Sequence, residues 1–97
     1  MKAIFVSYNQ ALTDRIMLLL NKHSIRGFTK WQLTEGRGSV HGEPHFGTHT
    51  WPAMNSSILA VVDESKVQPF LASLRELDSQ TEMQGLRAFV WNVEDQL

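Results

Sequence analysis

Ser57-Ile58-Leu59-Ala60-Val61-Val62 is an unbroken apolar run behind a serine, closed by Asp63. A run this short, rich in β-branched residues and bounded by polar ones, predicts a central strand buried on both faces. Downstream, Asp63 or Ser65 is placed to cap a helix, Ser65 and Gln68 have capping-box spacing, and Val67, Phe70, Leu71, Leu74 and Leu77 form a narrow apolar stripe. Leu86 to Val93 follows as a last strand. Upstream, Phe28 to Glu35 sets Trp31 and Leu33 against Lys30 and Gln32, an alternation of period two that predicts another strand. Before it, Leu12, Ile16, Leu19, Leu20 and His23 recur at helical spacing, with Asn9 or Thr13 as cap and Gly27 beyond the end. Lys2 to Tyr8 is the first strand, ended by the turn residue Asn9.

The order β-α-β-β-α-β predicts an α+β fold of the ferredoxin-like kind across residues 1–97, with an antiparallel sheet and two helices on one of its faces. Both faces of the strands carry apolar side chains. Ile4, Val6 and Tyr8 oppose Ala3 and Phe5 in the first strand, and Phe89, Trp91 and Val93 oppose Leu86, Ala88 and Val90 in the last. Two helices cover one face only, so the other predicts homo-oligomerisation, with Phe89, Trp91 and Ile58 expected at the inner surface.

The chain has 97 residues, with nine Lys plus Arg against ten Asp plus Glu, which argues against a nucleic-acid partner or an acidic membrane surface. It has no cysteine, which excludes disulfides and thiolate metal sites. The apolar stretch at the N-terminus is too short for a signal-peptide core or a span, so direct membrane insertion is not expected and a cytoplasmic location is.

Between the second and third strands lies Gly36-Arg37-Gly38-Ser39-Val40-His41-Gly42-Glu43-Pro44-His45-Phe46-Gly47-Thr48-His49-Thr50-Trp51-Pro52. It holds four of the six glycines, two of the three prolines and three of the four histidines, within a loop expected over 36–55. Connections of this length in small domains are usually binding loops or lids. His41, His45 and His49 recur every four residues, but the glycines and prolines argue against one continuous helix. In an extended hairpin the three still share a face. Neutral imidazole is a ligand for zinc, copper and nickel, and Glu43 adds a carboxylate, so these four residues are the candidate metal ligands. The alternative is that the histidines bond backbone carbonyls or a neighbouring subunit. Phe46 and Trp51 are the candidate partner anchors.

Gly27-Phe28-Thr29 before a strand, Gly36-Arg37-Gly38 after it, a long loop feeding an Ile/Val strand, and Phe89-Val90-Trp91-Asn92-Val93 at the end resemble the PII signal-transduction family over nearly the whole chain. That resemblance implies a trimer whose long loop, the T-loop, docks on target proteins such as a membrane transporter. It also implies clefts between subunits that hold an adenine nucleotide. Carried onto this sequence, the expected ligand-binding residues are Gly36, Arg37, Gly38, Gly85 and Arg87, where glycine admits close backbone approach and arginine forks to phosphate oxygens.

The departures from the family are equally definite. Ser39 and Val40 follow Gly38 where the family places an arginine or glutamine pair. The family's Thr-Gly-x-x-Gly-Asp-Gly-Lys loop is reduced to Thr81-Glu82-Met83-Gln84-Gly85-Leu86-Arg87, which exposes fewer backbone N–H groups to a phosphate. The loop also lacks the family's tyrosine, since the only one is Tyr8. The expectation is a divergent, non-enzymatic PII-like regulator responding to an adenine nucleotide or a divalent transition metal. Its alternative is a His-rich-loop metal-binding protein linked to heavy-metal efflux, because some divergent groups of the family are encoded beside such pumps. No Gly-x-Ser-x-Gly motif or paired carboxylates favour an enzyme.

Overall fold

A computed structural model describes residues 1–38, 40, 42–48, 53–81 and 84–97. The strands are β1 (Lys2–Asn9), β2 (Phe28–Thr34), β3 (Asn55–Val62) and β4 (Arg87–Asn92), and the helices are α1 (Thr13–Lys22) and α2 (Val67–Gln80). They form an antiparallel four-stranded sheet in the order β2-β3-β1-β4, with β2 and β4 at its edges. This is the expected ferredoxin-like α+β arrangement.

Each helix is entered through a short 3-10 turn set by an acceptor side chain. Asn9 Oδ1 accepts from the Ala11 N–H at 2.9 Å, and Asp63 Oδ2 accepts from the Ser65 N–H at 3.0 Å and the Ser65 hydroxyl at 2.6 Å. Asp63 rather than Ser65 is therefore the cap, and the two bonds hold its carboxyl below the usual carboxylate range. The end of α1 is marked not by Gly27 but by Ser24, whose φ is 56°. The Ile25 N–H reaches back to Leu20 C=O at 2.8 Å and the Ser24 N–H to Asn21 C=O at 3.0 Å, a Schellman ending with Ile25 buried behind it.

The core lies between the sheet and the helices. Ile4, Val6 and Tyr8 of β1 and Ile58, Ala60 and Val62 of β3 meet Ile16 and Leu20 of α1 and Val67, Phe70, Leu74 and Leu77 of α2. Among the described residues the Tyr8 hydroxyl has no hydrogen-bond partner of ordinary geometry, and burial pushes its pKa up against the smaller opposite pull of the Thr13 and Ser56 hydroxyls.

Among the described residues no helix covers the opposite face of the sheet in the single chain. The strand register lines up Trp91, Ala3 and Val61 in one row and Phe89, Phe5 and Leu59 in the next. Phe89 is 58% exposed and Trp91 49%. One expectation is corrected here. Ile58 points to the helices and is fully buried there, so it is not part of the open face. In the single chain Val61, on the open side of the central strand, is exposed, so burial of that strand on both faces would require a partner chain. An apolar run hides the period of two, so the sequence shows that β3 is a strand without showing which of its residues face the helices.

At the junction of α1 and α2, His23 Nε2 is hydrogen-bonded to Ser73 Oγ at 2.8 Å, and the imidazole meets the Phe70 ring edge-on at a centroid distance of 5.8 Å. Burial first, and then the charge of Lys22, holds its pKa below the usual 6.5. The proton is therefore taken up more readily by the unfolded chain, whose His23 titrates near 6.5. His23 contributes its full share of stability above that pH and loses it as pH falls from 6.5 through the lower folded-state value. Urea midpoints measured from pH 7.5 to 5 should fall more steeply for the unaltered protein than for His23→Gln.

Candidate functional site

The long loop leaves β2 at Thr34 and returns to β3 at Asn55, and its described residues are tied to the sheet in two steps. Gly36 and His45 exchange both backbone bonds, at 3.0 and 2.6 Å. Phe46 then bridges Met54, the Gly47 N–H donates to Ala53 C=O at 3.0 Å, and the Gln10 N–H donates to Met54 C=O at 2.9 Å. The loop thus folds back beside the β2–β3 end of the sheet.

This attachment buries His45, which is 5% exposed. Its Nδ1 lies 2.5 Å from Asn55 Oδ1, while Asn55 Nδ2 reaches toward Ser7 Oγ at 3.4 Å. With the amide so oriented, Nδ1 donates and the lone pair of the neutral ring is on Nε2. Of the other candidate metal ligands, Glu43 is exposed and His41 and His49 lie outside the described residues. Among the described residues no three His, Asp or Glu side chains are grouped to hold a metal ion. Phe46 is partly exposed, and Trp51 lies outside the described residues.

The five expected ligand residues come from two segments nearly fifty positions apart, and the fold brings their glycines together. A Cβ placed on Gly38 would overlap the Gly85 carbonyl oxygen and lie 2.5 Å from the Gly85 Cα. Gly85 has φ 72°, which favours glycine there, and a Cβ on it would lie 3.3 Å from the Gly38 Cα. Both arginines turn to carbonyls of their own segments. Arg37 Nε donates to Gly42 C=O at 2.7 Å, and Arg87 Nη1 donates to Leu86 C=O at 2.6 Å. Beside them, Asn9 Nδ2 donates to Gln84 Oε1 at 2.6 Å, tying the 81–86 connection to the end of β1. Asn9, Gln84 and Asn55 were not among the expected site residues. Asn9 reads in the sequence only as a turn and cap residue, and nothing in its spacing points to Gln84.

A similar fold occurs in a structure of CPII, a nitrogen regulatory PII-like protein from Thiomonas intermedia K12, bound to ADP, AMP and bicarbonate. It matches 93% of this chain and 82% of its own, with a TM-score of 0.75 at 21% identity. The chain has the PII-like fold. The apo form of CPII matches with a TM-score of 0.71 at 18% identity, over 93% of this chain and 85% of that one. A proposed PII-like signaling protein from Thermus thermophilus matches at 0.69 and 22% identity, over 95% and 85%. Neither a family model nor a curated protein matches the sequence. The PII-like fold is thus kept by packing and topology at low sequence identity.

Among the described residues no helix is long and apolar enough to cross a membrane.

Proposed function

We propose that this chain is a non-enzymatic PII-like regulatory protein. It assembles as a homotrimer through the open sheet face, binds an adenine nucleotide near Gly36, Arg37, Gly38, Gly85 and Arg87, and uses the 36–55 loop to dock on a target such as a membrane transporter. The observation that carries this reading is the meeting of Gly38 and Gly85 at the base of the loop. It sets the turn after β2 and the connection before β4 side by side, with Arg37 and Arg87 flanking the two glycines in sequence. Backbone N–H groups beside guanidinium groups are the chemistry that holds a phosphate. The fold-mates described as bound to ADP and AMP support the choice of an adenine nucleotide.

Calorimetry and thermal unfolding with AMP, ADP and ATP test it. A nucleotide at 100 times its dissociation constant should stabilise the folded chain by about 2.7 kcal/mol. Arg37→Ala and Arg87→Ala should each weaken that binding while leaving the unliganded Tm nearly unchanged. No heat and no stabilisation with any of the three nucleotides removes the reading.

The three loop histidines carry a narrower second reading, binding of zinc, copper or nickel, because His45 keeps the lone pair on Nε2 for a ligand role. Native mass spectrometry with each metal, against a His41→Ala/His45→Ala/His49→Ala variant, decides it. Equal metal uptake by both proteins excludes the loop as the site.

A further inference from the structure

The glycines at the loop base approach each other rather than an open gap. We infer that the Gly38–Gly85 contact is a clasp that closes the long loop onto the body of the protein, and that a ligand entering beside Gly36–Gly38 must part it. The second half of this inference rests on the adenine-nucleotide reading above; the first half does not.

Four observations carry it. Gly38 has no room for a side chain on the side of Gly85, so the two backbones are packed at the closest approach that glycine alone permits. The clasp is braced from β1, because Asn9 holds Gln84, the residue next to Gly85. It lies two residues from Gly36, whose N–H and C=O both bond to His45, so Gly38 cannot move far without straining the first attachment of the loop. And the cationic groups that would receive an anion are turned to carbonyls of their own segments, Arg37 to Gly42 and Arg87 to Leu86. The two glycines that would meet a phosphate are thus packed on each other, and each arginine has one of its N–H groups bonded within the chain. Binding then requires an opening step, and the apparent affinity is the intrinsic affinity multiplied by the small fraction of chains that are open.

The same opening also exposes the backbone bonds that attach the loop. Exchange of the Gly36, His45 and Gly47 amides through this local opening is proportional to the open fraction, just as the apparent affinity is. Weakening the clasp should therefore raise both by the same factor.

Gly38→Ala inserts a methyl group against the Gly85 carbonyl, and Gln84→Ala removes the brace while leaving both glycines in place. The second variant serves where the first fails to fold. In each folded variant the amides of Gly36, His45 and Gly47 should exchange about tenfold faster than in the unaltered protein, and in Gln84→Ala, which leaves every expected ligand residue in place, ADP should bind tighter by about the same factor. Unchanged exchange in a folded variant overturns the clasp. Faster exchange in Gln84→Ala with unchanged or weaker ADP binding overturns the competition with ligand. Absence of binding by AMP, ADP and ATP in all proteins removes the nucleotide reading and the competition with it, while faster exchange alone still supports the clasp.

Discussion

A Phe89→Glu variant should sediment as a single chain at micromolar concentration, where the unaltered protein should sediment as a trimer. Phe89 stands on an edge strand, in the row it forms with Phe5 and Leu59, on the sheet face that the helices do not cover. Its neighbours in the next row are Trp91, Ala3 and Val61. Trp31 adds a further exposed indole from the other edge strand. An apolar surface of this breadth on a chain this small is the kind that a partner normally covers. Each lost aromatic contact costs roughly 2–3 kcal/mol of burial, and a carboxylate buried in its place adds several more. In a closed ring the loss is incurred at each of three subunits, which is far beyond what a micromolar assembly tolerates. Leu18→Glu is the matching control. Leu18 lies on the outer surface of α1 and is 66% exposed, so a charge there should leave the assembly intact. A single-chain mass for the unaltered protein would remove the trimer, and equal sedimentation of Phe89→Glu and the unaltered protein would place the interface elsewhere.

The order of the elements was legible because each is announced locally, by period two in β2, by helical spacing in α1 and α2, and by the apolar run of β3. What could not be read was orientation. Ile58 and Leu59 are equally apolar, and only pairing with β1 decides that Ile58 faces the helices while Leu59 faces the open side. The end of α1 was legible only in part, for a different reason: Gly27 does lie beyond it, but another residue makes the turn. Glycine is the usual signal for a left-handed residue, yet here Ser24 adopts that conformation, steadied by Ile25 behind it and by Lys66 Nζ donating to the Ser24 C=O at 2.7 Å. At the candidate site, the family resemblance paired Gly36–Gly38 with Gly85–Arg87, and the fold sets Gly38 against Gly85. The resemblance implied glycines that admit close backbone approach to a ligand, and in the single chain Gly38 and Gly85 approach each other. His45 shows the limit of spacing arguments. Its place in a four-residue repeat suggests a shared face, but its surroundings depend on Asn55, ten positions away and buried at the start of β3.

Phe70→Ala should lower the unfolding free energy by about 3–5 kcal/mol, a large share of the roughly 5–15 kcal/mol that a domain of this size possesses. Phe70 is fully buried, where α2 crosses the sheet, among the core side chains of β1, β3 and α1. Removing the ring deletes its apolar burial and leaves a cavity that the rigid sheet beneath cannot collapse to fill. The measurement belongs in the Phe89→Glu background, because an assembling chain has a stability that depends on its own concentration. There, urea unfolding should show a lower midpoint at an unchanged slope, while Leu18→Ala, on the solvent side of α1, should stay within about 0.5 kcal/mol of its parent. The substitution has a second, independent readout. His23 lies edge-on to Phe70, and burial is the main cause of its lowered pKa, so admitting water where the ring stood should return that pKa upward toward 6.5. An NMR titration of the His23 ring in the two proteins measures this directly. A loss of stability with an unmoved His23 pKa would mean that the cavity closes over without water reaching the imidazole, and a loss below about 1 kcal/mol would mean that α2 is not anchored by Phe70 at all.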